Sequence, residues 1–101
     1  MIKVNNIINS NNNPVLNQFE IRGVTAGTFY KGDRKLRSGD CFQSYSSIIV
    51  YKTFDGDVYL DEHFWNYSRT TSKYRNIFLG ENTADTRKKI KSGEYKLINL
   101  N

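Results

Sequence analysis

The residue types that do covalent chemistry are scarce in this chain, which has one cysteine, Cys41, and one histidine, His63. A thiol protease or transferase needs a cysteine activated by histidine, with an Asn or Asp orienting the imidazole. The chain supplies one of each and many asparagines, but Cys41 opens an apolar, strand-like run, the usual setting of an inert buried thiol. His63 alone makes no metal site, and Asp55, Asp57 and Asp61 lack the spacing of a calcium loop. A small metal-independent ribonuclease is the stronger enzymatic alternative. It would use His63 or Glu62 as acid and base, with Arg69, Lys73, Tyr67 and Tyr74 around the phosphate. Any basic, aromatic-rich domain contains those types, so no catalytic residue, metal or cofactor is assigned from them.

Binding uses the same residues differently. The net charge of +5 comes from 15 basic and 10 acidic residues. The basic ones cluster as Lys31, Arg34, Lys35 and Arg37, then Arg69, Lys73 and Arg75, then Arg87, Lys88, Lys89 and Lys91. Such a field attracts phosphate backbones or an acidic protein face and speeds encounter with either. Tyr67, beside Arg69, can stack on a base or anchor an interface. These twelve residues are the candidate contacts, and Trp65 is expected in the core.

The elements that must position them fit one domain of 101 residues. Apolar residues are 38% and aromatics 14%, so Tyr, Phe and Trp must supply much of the core. The longest apolar run, 48–51, is far below the roughly 20 residues of a membrane helix. The first ten residues also lack a secretory pattern, so a cytoplasmic location away from membranes is expected.

Residues 1–8 read as a strand burying Ile2, Val4 and Ile7 or Ile8, followed by an Asn-rich loop to 13. Residues 15–24 alternate Phe19 and Ile21 against Gln18, Glu20 and Arg22, the mark of a half-buried strand. Apart from a short strand TFYK, residues 26–40 read as a polar cationic insertion. The best-defined core is 41–101. Residues 41–54 form one long strand, and Asp55-Gly56 predicts a two-residue turn pairing Thr53 with Val58. Ile49, Tyr51, Val58 and Leu60 then share the core face. A helix capped near Thr70 over 70–79 carries the stripe Tyr74, Ile77 and Phe78, leaving Arg69, Lys73 and Arg75 outside. A short peripheral helix over 84–92, capped by Thr83 and stopped by Gly93, precedes a closing strand with Tyr95, Leu97 and Leu100. The expected fold is α+β, with a mainly antiparallel sheet of about four to five strands, a central hairpin and two helices.

NQFEI at 17–21, FQSYSSIIVYK at 42–52, LDEHFWNYSRTTSKYRNIFLGE at 60–81 and TRKKIKSGEYKLINLN at 86–101 resemble a family of small uncharacterised proteins. These are encoded by bacteriophages and other mobile elements of low-GC bacteria. The Asn-rich loop and 26–40 depart from the shared pattern. The resemblance implies a mobile-element context in which small basic accessory proteins bind nucleic acid or block a host defence nuclease, such as a CRISPR effector or restriction enzyme. The expected partners are therefore a host nuclease or effector complex, nucleic acid, or both.

Overall fold

The computed structural model describes residues 2–101. Its main sheet has six strands: β1 Lys3–Ile8, β2 Pro14–Val24, β5 Gly39–Ser44, β6 Ser47–Thr53, β7 Val58–Asp61 and β8 Tyr95–Ile98, in the order β1-β2-β5-β6-β7-β8. A separate ribbon pairs β3 Tyr30–Lys31 with β4 Arg34–Lys35. Helices α1 Arg69–Leu79 and α2 Thr83–Ser92 lie between β7 and β8. Every pair in the main sheet is antiparallel except β7 with β8. A parallel return needs a long crossover, and the two helices provide it. The fold is α+β, with more strands than the four to five expected.

The expected long strand 41–54 is two strands folded at Tyr45-Ser46. Tyr45 takes φ 54°, and its N–H donates to the Asn17 carbonyl at 2.7 Å. β6 thereby becomes a central strand with Ile49, Val50 and Tyr51 all at most 1% exposed. A bulge where Phe42 pairs with Val50 and Gln43 with Ile48 leaves Ile49 as the extra residue, and it joins Val50 in the cluster facing the helices.

The next turn is longer than Asp55-Gly56 suggests. Thr53 N–H donates to the Asp57 carbonyl at 2.8 Å, and Asp57 N–H donates to Thr53 Oγ1 at 2.9 Å. The pairs are therefore Val50 with Leu60, Tyr51 with Tyr59 and Lys52 with Val58. That one-residue slip moves Tyr51 off the face expected to hold it with Val58 and Leu60.

Two apolar layers result. Ile7, Phe42, Ile49, Val50, Val58, Leu60, Tyr74 and Tyr95 form the layer under the helices. Val24, Leu36, Cys41, Tyr51, Ile98 and Leu100 form the layer on the other face. Neither α1 nor α2 covers the second layer. Leu36 and Phe29, from the segment expected to be a polar insertion, do so together with Leu100 from the C-terminal tail. Gly39 lets this segment enter β5, because a Cβ there would collide with the Lys52 carbonyl.

β1 buries only Ile7, while Ile2, Val4 and Ile8 are exposed because the strand is the sheet's outer edge. The strand expected from Met1 has its first residue outside the described residues. In β2 the expected sides hold in part: Ile21 packs on the second layer and Arg22 is exposed, but Gln18 is buried. Gln18 is buried toward α1 beside Ser44, and Phe19 and Ile21 are half-buried on the thinly covered face. α1 begins one residue earlier than expected, with Ser68 in place of Thr70 as its cap, Ser68 Oγ accepting from Thr71 N–H, and it ends at Gly80 with φ 70°. Asn82, not Thr83, caps α2, and Gly93 with φ 83° stops it. On α1 Tyr74 is buried but Ile77 is exposed, and Leu97 of β8 is exposed where Ile98 is buried. None of the helices among the described residues is long and apolar enough to cross a membrane.

Candidate polyanion and partner interface

The segment before β5 is a hairpin anchored by its apolar residues, which leaves its cations free of the core. Gly27 N–H donates to the Leu36 carbonyl, and Leu36 N–H to the Phe29 carbonyl, both at 2.9 Å. The Phe29 ring stands edge-on to Tyr51 at 5.0 Å. Tyr51 Oη donates to the Arg37 carbonyl at 2.6 Å. Burial pushes the Tyr51 phenol up to about 12, so it keeps the proton that makes this bond. Gly32, with φ 63°, turns the chain between Lys31 and Arg34, which are paired partners.

The consequence is a cleft of about 210 Å³ lined by Lys31, Arg34, Lys35 and Arg37, with Thr53, Asp57 and Tyr59 opposite. Arg37 pairs with Asp55 at 3.1 Å, both well exposed. A bond from Thr53 Oγ1, aided by Arg37, holds the Asp55 carboxyl below the usual carboxylate range. The cleft therefore carries both signs of charge with cations in excess.

The other two cationic groups lie on the helix side and do not join this cleft. Arg69 and Lys73 are carried by α1, with the Lys73 ammonium 5.4 Å from the Tyr74 ring centre. Tyr67, at 71% exposure, precedes them and stacks edge-on with Phe64 at 5.5 Å. Arg87, Lys88 and Lys91 lie on α2 away from the core, but Lys89 is tied to Glu81 Oε1 at 2.7 Å. That hydrogen bond is the main cause of the raised Lys89 pKa. Burial alone would raise the Glu81 carboxyl. Bonds from Lys89, Thr86 and Tyr95 outweigh it and hold Glu81 low.

Arg75, expected outside, is instead the largest fully buried side chain. Its Nη1 donates to the Trp65 carbonyl and to Asn66 Oδ1 at 3.3 Å. Its Nη2 donates to Asn76 Oδ1 at 2.9 Å and Thr83 Oγ1 at 2.7 Å. The guanidinium lies 5.3 Å from the Trp65 ring centre, and that of Arg87 lies 5.2 Å from the same ring. Burial lowers the Arg75 pKa, with Glu81 acting against it. Arg75 thus ties α1, α2 and the loop before α1 together. Trp65 is only half-buried, as the aromatic platform of this knot.

The residues considered for covalent chemistry are separated. Cys41 is 1% exposed in the second layer, and burial pushes its thiol up to about 12, far from the thiolate a nucleophile needs. The His63 side chain is 72% exposed, with Glu62 3.7 Å away. Among the described residues, no group of three or more His, Cys, Asp or Glu side chains is placed to hold a metal ion.

A family model described as "Family of unknown function (DUF8033)" matches residues 2–94. The chain belongs to that family. The match extends across the Asn-rich loop and 26–40, so both lie inside the family domain. No curated protein and no solved structure matches the chain.

Proposed function

We propose that the protein acts by binding, as a mobile-element accessory protein that inhibits a host nucleic-acid-handling defence complex of the CRISPR or restriction kind. The convergence of Lys31, Arg34, Lys35 and Arg37 on one cleft, held by a hairpin with its own apolar anchors, carries this reading. Four cations on a small projection give electrostatic steering toward an acidic partner surface. Asp57 in the cleft and Asp55 on Arg37 favour a protein face of mixed charge over a bare phosphate backbone.

Affinity capture from lysate of a low-GC bacterium, with and without nuclease treatment, tests this. A defence nuclease or effector should be retained after nuclease treatment, lost with a K31E/R34E/K35E variant, and inhibited by the purified chain in its own cleavage assay. Recovery of nucleic acid and ribosomal proteins alone would overturn the reading.

The cations Arg69, Lys73, Lys88 and Lys91 on the two helices favour a second reading, a simple nucleic-acid-binding regulator. Affinity for DNA or RNA alone that falls steeply with salt would select it. The ribonuclease alternative rests on His63 and Glu62, and metal-independent cleavage abolished by His63→Gln would select that instead.

A further inference from the structure

The turn that splits β5 from β6 meets the start of α1, and the two enclose a second small cleft of about 220 Å³. It lies at the opposite end of β6 from the cationic cleft and on the helix-covered face. Its walls carry four hydroxyl groups, from Ser44, Ser47, Ser68 and Thr71. Ser44 Oγ and Thr71 Oγ1 are 3.1 Å apart, and Ser68 Oγ donates to Thr71 Oγ1 at 3.1 Å. Ile49 and Phe64 supply apolar surface. Tyr45 and Tyr67 flank the opening and are 59% and 71% exposed.

We infer that this cleft holds one unstacked nucleobase, from a single-stranded nucleic acid or a free nucleotide. Ordinary ligand pockets occupy roughly 300–1,000 Å³, so this one suits a single planar ring better than a whole cofactor. Exposed tyrosines offer faces on which a base stacks. A hydroxyl both donates and accepts, so Ser47 and the one O–H left over in the Ser68–Thr71–Ser44 chain can bond the polar edge of a base.

Two further features point the same way. Gln18 stands directly opposite Ser44 in the strand register, is 1% exposed, and has no partner among the described residues for either Oε1 or Nε2. A buried primary amide is destabilising until something bonds it, and Gln18 neighbours Ser44 in the sheet without itself lining the cleft. At the start of α1, Ser68 Oγ accepts from Thr71 N–H, the first N–H groups of any helix lack an intrahelical acceptor, and this first turn carries no acid. The phosphate attached to a seated base would meet that positive helix end and the Arg69 side chain.

The inference does not depend on the cationic cleft. The test is amide NMR of the isotope-labelled full chain, titrated with uridine and adenosine monophosphates and with short single strands of each. Amides of Tyr45, Ser47, Tyr67, Ser68 and Thr71 should shift, and Tyr67→Ala should weaken binding about tenfold, as expected for loss of one base stack. Tyr45→Asn, which tolerates the positive φ of that turn, should do the same. Both tyrosines are exposed, so these variants keep the core. Saturation by a monophosphate identifies a free nucleotide as sufficient, and response to strands alone identifies a base within a chain; either supports the site. Silence of the five pocket amides toward all four probes overturns it, as does unchanged affinity in Y67A. Movement confined to the hairpin amides would also overturn it while leaving the cationic cleft intact.

Discussion

The two faces of the sheet are closed by different means. The helix side has a continuous aliphatic and aromatic layer, and above it a polar layer tied by many hydrogen bonds. Arg75 links Trp65, Asn66, Asn76 and Thr83, while Glu81 gathers Lys89, Tyr95 and Thr86. The opposite side has a thinner cover of Leu36, Phe29 and Leu100, clipped at a few points. Asp61 accepts from Leu100 N–H at 2.8 Å, and Asn101 exchanges two bonds with the Ile48 backbone at 2.7 and 2.9 Å. Fewer buried contacts make a segment easier to open locally. The cations that line the hairpin cleft therefore sit on the less stable cover, and the network of helix-side contacts acts as the scaffold.

Replacing Arg75 should show the largest effect. Arg75→Ala leaves the Trp65 carbonyl and the Thr83 hydroxyl without their charged donor and opens a cavity, so urea denaturation should register a loss of about 3 kcal/mol or more. Arg75→Met fills the space without the bonds and should recover part of that loss. A fall below about 1 kcal/mol in Arg75→Ala would place the stability of the helix side in its apolar layer alone.

Leu36→Ala should come next, at about 2–3 kcal/mol if the hairpin unfolds with the rest of the chain. If its cover opens separately, hydrogen exchange should speed at the Gly27 and Leu36 amides while Val50 and Leu60 keep their protection. Equal acceleration at both sets would erase the distinction between the faces.

The smallest effect concerns pH. Burial pushes the Glu81 carboxyl up, but bonds from Lys89, Thr86 and Tyr95 outweigh it, so the group titrates below its ordinary value of 4.5. Its contribution is therefore present above that value and is lost as the pH falls through the lower folded-state value. Glu81→Gln should lower the urea midpoint modestly at neutral pH, with the difference from the parent shrinking in acid. A difference that grows in acid would remove Glu81 as the anchor of α2.

Local chemistry makes several features legible in the sequence. Gly80 and Gly93 end their helices because positive φ suits glycine, and the Asn-rich loop ends β1 because Asn competes for backbone bonds. The hairpin cations can be picked out by type, yet not the cleft they share, since Thr53, Asp57 and Tyr59 come from β6, β7 and the turn between them, far along the chain. Of the hydroxyl-lined cleft, the sequence singles out Tyr67 as a base-stacking candidate but does not place it beside Tyr45 and Ser47, which lie at a turn far from it along the chain.

The amino-acid sequence by itself determined where its helices stop, its α+β class and its excess of positive charge, because each depends on local residue types. Only the tertiary structure decided which side of each strand is interior. With two covered faces, alternation no longer separates inside from outside, so Tyr51 and Val50 are both buried and Gln18 lies beneath a helix. Arg75 follows the same logic. A guanidinium one residue after a buried Tyr74 belongs at the surface unless another helix supplies acceptors, and α2 brings Thr83 to it.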